Sequence, residues 1–225
     1  MRIRQIILHT RQFEAMKSFY GSLLGLETRE DNPWNVLFRV GRSTLTLQES
    51  SPQENPYYHV AFTIPTNKFA DAKQWLKERG ITLFSKDGKD EFPFESWNAT
   101  ALYFYDPDEN LIEFIAHHSL DNATDEAFGP KHLLWISEIG LPVDDVPEAV
   151  GKLAAAFQID LWGGDGKQFA PLGDAKGLLI LVDRRRPWFP DGRTPSVFET
   201  KVSIEAMNSA AAVVLQNGLY EVQGS

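Results

Sequence analysis

Tyr58-His59-Val60-Ala61-Phe62-Thr63-Ile64 reads as a short, almost wholly apolar strand carrying one imidazole. Pro65 and Asn67 follow it, Asn67 as an expected helix N-cap, and then Phe69, Ala72, Trp75 and Leu76 at helical spacing. Gly80-Ile81 closes that helix, and two further apolar runs, Ala101 to Tyr105 and Leu111 to Ala116, read as strands of a meander. The same order stands at the start of the chain. Ile3 to Leu8 predicts a strand, Phe13, Met16, Phe19, Tyr20, Leu23 and Leu24 a helix closed by Gly25-Leu26, and Trp34 to Val40 and Ser43 to Gln48 two more strands. Gln5 to Gly25 spans 20 residues and His59 to Gly80 spans 21, so the unit is a repeat, βαβββ in each copy.

A third copy starts with Leu133 to Val143, has its helix from about Pro147 to Phe157 after Asp144-Asp145, and continues through Gly177 to Val182. A fourth begins with Val197 to Ile204, is expected to carry a helix through Val213, Val214 and Leu215, and stops after Gly218-Leu219-Tyr220-Glu221-Val222, short of its remaining strands. The fold class this predicts is α+β: tandem βαβββ modules forming a cupped mixed sheet, followed by a degenerate and truncated second pair. The polar stretch from Ser119 to Lys131, with Gly129-Pro130 near its end, separates the pairs, giving expected domains at 1–120 and 131–225.

With 31 acidic against 22 basic residues the formal charge is −9, which argues against a nucleic-acid partner, whose phosphates need concentrated Lys and Arg. There are no cysteines, so a metal site must use imidazole, carboxylate, amide or water. No apolar run approaches the roughly 18 residues that a membrane span needs, and Met1 to Leu8 has no signal-peptide core; a cytoplasmic location is the expectation.

Glu113 lies inside Leu111-Ile112-Glu113-Phe114-Ile115, just after the turn Asp106-Pro107-Asp108-Glu109-Asn110. A carboxylate in an apolar strand is costly unless paired, protonated or bound to a metal, and His59 in a similar strand makes metal ligation attractive; a buried hydrogen-bonded pair is the other reading. Strand parity puts His9 on the face of Gln5, and His117 on the face of Glu113.

A tandem βαβββ repeat with Phe19-Tyr20, Leu24-Gly25-Leu26, Tyr58-His59-Val60-Ala61-Phe62 and Tyr103-Phe104-Tyr105-Asp106-Pro107-Asp108 before Leu111-Ile112-Glu113 resembles the vicinal oxygen chelate superfamily. This superfamily contains glyoxalase I, fosfomycin-resistance proteins, extradiol dioxygenases and bleomycin-binding proteins. The resemblance covers residues 1 to about 118 and implies a metal held by Gln5, His59 and Glu113. Thr46 aligns with a further glyoxalase ligand position, and Gln48 lies two residues on. By the same resemblance Tyr103 would face the substrate and move or share a proton; by strand parity His9 or His117 is a candidate base or substrate contact, and Thr46 and Gln48 are candidate substrate contacts. Trp34 and Trp97, with Phe38, Phe92 and Phe94, are candidates to line a cavity for a planar ligand, core packing being their other role. Glu138 takes the strand place of His59 in the third copy, but its last-strand counterpart there is Ile180, so no site is expected in that half. Arg184-Arg185-Arg186-Pro187-Trp188-Phe189-Pro190 reads as an edge-covering loop, or as a grip on an anionic ligand.

The implied function is a glyoxalase-like lyase or isomerase using a divalent ion (Zn, Ni, Mn, Mg or Fe) on a small oxygenated substrate. The alternatives are a ring-cleaving dioxygenase and a metal-free drug- or metabolite-binding protein. The unfinished last unit leaves a sheet edge that a second subunit would cover in a homodimer.

Overall fold

The structure is a computed structural model and describes residues 1–51 and 54–225. The first copy comprises β1 (Arg2–Thr10), α1 (Phe13–Lys17), β2 (Glu27–Asn32), β3 (Asn35–Val40) and β4 (Ser43–Glu49). The second is β5 (His59–Thr63), α2 (Phe69–Glu78), β6 (Phe92–Phe94), β7 (Ala99–Tyr105) and β8 (Leu111–His117). Both are βαβββ, as the repeat predicts. β2 and β6 carry no apolar alternation of useful length: β2 is exposed throughout, and β6 is only three residues long.

The third copy, β9 (Trp135–Val143), α3 (Val146–Phe157), β10 (Phe169–Asp174) and β11 (Gly177–Asp183), lacks one strand. Asp145 caps its helix by accepting from the Glu148 amide at 2.9 Å. The fourth copy corrects the expectation of a helix: it is β12 (Thr200–Glu205), β13 (Ala212–Leu215) and β14 (Tyr220–Gly224), all strand. Val213 and Leu215 are buried while Ala212 and Val214 are exposed, the period-two alternation of a sheet. Asn67 does not cap α2 either; its side chain instead bonds the backbone of Thr124 in both directions.

Two seven-stranded sheets result, in the orders β13-β14-β12-β1-β4-β3-β2 and β10-β11-β9-β5-β8-β7-β6. The first joins copy one to copy four, the second joins copy two to copy three. The expected division at 1–120 and 131–225 is therefore not the division between sheets, because β5 and β9 pair antiparallel across residues 119–131. One buried core lies between the sheets and takes in α1, α2 and α3 through Phe13, Met16, Trp75, Leu76, Leu153 and Phe157. On the opposite face of the second sheet lies a separate, aromatic-rich cluster inside its curve. No helix among the described residues is long and apolar enough to cross a membrane.

Two connections hold the sheets in place. Gly41, at φ +52°, lets the β3–β4 turn approach the chain so closely that an added Cβ would stand 2.0 Å from the Leu134 carbonyl oxygen. At the other connection the β7–β8 turn docks onto copy one through Asp106, whose Oδ2 accepts from the Tyr20 hydroxyl and the Asn110 amide, each at 2.8 Å. Asp106 Oδ1 accepts two backbone N–H bonds, from Asp108 and Asn110. Burial outweighs these donors and pushes the Asp106 carboxyl up to about 7.

A carboxyl raised in the folded state stabilises the fold below its unfolded value and loses that contribution as pH rises through the folded one. Unfolding free energy is expected to fall by about 2–3 kcal/mol between about pH 5 and pH 8 from this group alone. Urea melts across that range should show the slope, and Asp106→Asn should flatten it; an equal slope in the variant would assign it elsewhere.

Candidate metal centre and cavity

Register builds the site. Ala61 of β5 pairs with Glu113 of β8 on one side and with Glu138 of β9 on the other. Neighbouring strands are about 4.8 Å apart, and alanine has no side chain beyond Cβ to fill the space between them. Two long carboxylates can therefore lean together above it, beside His59 on the next outward position of β5. Glu138 reaches that face through a bulge: the pairing shifts between Ala61/Glu138 and Phe62/Ile136, leaving Ser137 as the extra residue. Strict alternation from Ile136, which is in the shared core, would have turned Glu138 inward with it.

His59, Glu113 and Glu138 are 5%, 3% and 3% exposed, so bulk water screens none of them. The His59 Nδ1 lies 3.0 Å from the Leu111 carbonyl oxygen, which can only accept, so Nδ1 carries the proton and Nε2 is free to face the carboxylates. Nε2 stands 3.5 Å from Glu113 Oε2 and 3.7 Å from Glu138 Oε2, and ligand atoms of all three lie within 4.8 Å of one another. Those separations are long for a direct hydrogen bond. Atoms each about 2.1 Å from one ion stand about 3–3.5 Å apart, so small side-chain movements would bring the three groups to the spacing of neighbouring ligands. Glu138 Oε1 is buried with no hydrogen-bond partner among the described residues, as a ligand or base oxygen would be. One imidazole and two carboxylates fit a borderline or hard divalent cation.

Burial first, and then the charge of Glu138, hold the Glu113 carboxyl well above its ordinary range, while a hydrogen bond from Tyr103 opposes the rise. Tyr103 is the cross-strand partner of Glu113. Its phenol is raised well above its usual value by burial and by the two carboxylates, so it remains a donor.

The three groups open into a cavity of about 350 Å³, within the range of small-ligand sites. Its walls include Phe94, Trp97, Tyr103, Phe169, Trp188 and Phe189. Trp188 comes from the strap 184–193, and its ring centroid is 5.2 Å from that of His59. Gly140, on β9, makes room for it: an added Cβ would stand 2.7 Å from Trp188 and 3.1 Å from His59 Cβ. The far end of the strap is anchored by Arg193, whose guanidinium lies over Tyr57 at 4.1 Å and Tyr105 at 4.6 Å and bonds Asp191 at 2.6 Å.

Of the residues singled out from sequence, His59, Glu113, Tyr103, Phe94 and Trp97 line this cavity, together with Glu138 and with Arg186, Trp188 and Phe189 of the arginine-rich loop. His117 lies in the same sheet, edge-on to Trp162 at 5.7 Å, and burial lowers its pKa. Gln5, His9, Trp34, Thr46 and Gln48 all belong to the other sheet or its turns. Gln5 donates to Thr46 at 3.1 Å, His9 faces Glu199 at 3.6 Å, and Trp34 is 71% exposed. Thr46 and Lys201 stand on either side of Ile7 as Glu113 and Glu138 stand on either side of Ala61, so the first sheet offers a cation where the second offers a carboxylate. Gln5 is thus not beside His59; Glu138 is. Its signal was in the sequence, a lone acid in the apolar strand Trp135–Val143, but its partners lie in copy two and not in its own copy.

The family model described as the Glyoxalase/Bleomycin resistance protein/Dioxygenase superfamily matches residues 2–114. The chain belongs to this superfamily. Metallothiol transferase FosB of Staphylococcus haemolyticus is 30% identical over 100 residues, 42% of this chain and 68% of that protein. Biphenyl-2,3-diol 1,2-dioxygenase 2 of Rhodococcus globerulus is 26% identical over 174 residues, 71% of this chain and 85% of that protein. A solved glyoxalase I variant from Zea mays matches 99% of this chain and 93% of its own with a TM-score of 0.62 at 13% identity, a likeness of superfamily fold.

Two buried carboxylates this close together destabilise the protein when no cation sits among them. After chelator treatment, Glu138→Gln is expected to be more stable than the native chain by about 1 kcal/mol, or roughly 2–4 °C in melting temperature. Calorimetry in EDTA checks this; a variant that melts lower would mean that the native acid is already compensated.

Proposed function

We propose that the chain is a divalent-metal enzyme of the lyase or isomerase type, in which His59 Nε2 and the carboxylates of Glu113 and Glu138 hold the ion and a small oxygenated substrate occupies the adjoining cavity. The observation that carries this reading is the convergence of those three buried groups on one point of the cavity. A divalent ion bound there supplies Lewis-acid polarisation of substrate oxygens. Tyr103 donates a hydrogen bond to an oxygen as negative charge develops on it, since its phenol keeps its proton. The unengaged Glu138 Oε1 is placed to take a proton from substrate carbon or oxygen. Trp188, Trp97 and Phe169 keep bulk water from the reacting atoms.

Ring-cleaving dioxygenation is a second reading, favoured by the aromatic walls and by the length of the alignment with the Rhodococcus dioxygenase. A single histidine in the donor set opposes it, because the facial triad of iron oxygenases uses two.

Elemental analysis after loading with Mn, Zn, Ni, Mg or Fe and dialysis should find about one ion per native chain. His59→Ala and Glu138→Ala should fall to background with unchanged circular dichroism, and Gln5→Ala should bind as the native chain does. A native chain without metal, or full retention in Glu138→Ala, would overturn the assignment. Oxygen uptake with catechols by the iron-loaded protein separates the second reading from the first, which expects none.

A further inference from the structure

The strap 184–193 carries four arginines, and three of them are paired. Arg184 Nε lies 3.0 Å from Asp144, Arg185 grips Asp183 through bonds of 2.9 and 2.6 Å, and Arg193 bonds Asp191 at 2.6 Å. Arg186 differs in two ways. It has no carboxylate partner among the described residues, and it alone of the four lines the cavity that holds His59, Glu113 and Glu138. Its guanidinium lies over the ring of Phe169 at 4.7 Å, which fixes its plane while leaving its N–H edge free.

The Arg186 backbone amide donates to Asp183 at 2.8 Å, so the start of the strap is as firmly turned as its end. Trp97 stacks with Phe169 at 6.4 Å and an interplanar angle of 18°, and Phe94 and Phe189 meet edge to face at 5.7 Å beside them. Flat rings therefore wall the space between a charged fork and the three ligand-type groups. The charges add up to a preference. Two carboxylates balance one divalent ion, and Arg186 leaves a single positive charge. A ligand that carried its negative charge elsewhere would leave that guanidinium without a partner in a partly dry cavity.

We propose that Arg186 is the specificity-determining residue of this cavity and that its ligand is a flat aromatic mono-acid, with the acid group on Arg186 and the ring between the aromatic walls. The charge balance rests on the metal reading above, whereas the guanidinium and the aromatic walls stand without it. Neither aromatic contact nor the guanidinium depends on Gln5, on the first sheet or on the paired arginines.

Benzoate, benzamide and cyclohexanecarboxylate serve as probes, titrated calorimetrically into the full chain both Mn²⁺-loaded and EDTA-treated. A hydrogen-bonded charge pair contributes enough that benzoate should bind at least about tenfold more tightly than the isosteric neutral benzamide. Cyclohexanecarboxylate, equal in charge but not flat, should also bind more weakly than benzoate. Arg186→Gln should abolish the preference for the acid with benzamide affinity and metal content unchanged, and Arg184→Gln should leave the preference intact. Equal affinity for benzoate and benzamide in the native chain overturns the proposal, as does binding of neither. A preference that survives in Arg186→Gln overturns it too, because the metal would then be taking the acid. Loss of metal binding with the preference retained contradicts the metal reading and supports the role of Arg186.

Discussion

Repulsion between two carboxylates almost wholly shielded from bulk water is the constraint around which this molecule is arranged. Glu113 and Glu138 flank Ala61 in a row of three paired strands, 3% exposed each, with the Nε2 of His59 directed at both. Burying one such charge without compensation costs several kcal/mol, and two together cost more. A proton on Glu113 or a cation among the three relieves it. Every neighbouring choice favours keeping the groups together: the small side chain of Ala61, the bulge at Ser137, and the Leu111 carbonyl that fixes the tautomer of His59.

The two sheets are built from the same unit, and they solve opposite problems. The first turns Gln5, Thr46, Lys201 and Ser203 to a polar face, with Gln5 and Thr46 satisfying each other. The second turns its face into a lined cavity, because aromatic side chains from β6 and β7 and from the strap after β11 close over it. A sheet face alone would be too open to dehydrate a site. The strap converts it into a pocket by inserting Trp188 against His59, and Gly140 makes that approach sterically possible. Arg193, stacked on Tyr57 and Tyr105 and bonded to the buried Asp191, holds the insertion in place.

Much of this was legible in the residues. Apolar periodicity and the glycines after each helix gave the βαβββ unit and its recurrence, because both depend on local geometry: a 3.6-residue helix and a two-residue strand leave their periods in the text. The polar oddities in apolar strands marked His59 and Glu113, since the cost of burying such groups is independent of where the chain goes next. β2, with six exposed residues, left no such mark, and β13 was mistaken for helix because four residues are too few to tell the two periods apart.

What sequence could not decide was which copies would share a sheet. Copies one and two were expected to share a sheet, which placed Gln5 with His59; the hydrogen bonds between β5 and β9 instead bring copy two to copy three, and β1 to β12 brings copy one to copy four. Nothing local encodes that choice, because an unpaired strand edge is chemically alike in every copy, and only the packing of both sheets on one core selects the partner. The sequence by itself determined the repeating unit and the presence of acids and an imidazole in apolar strands. The tertiary structure decided that Glu138, from the next copy, completes the group, because convergence of side chains is a property of register across strands and not of order along the chain.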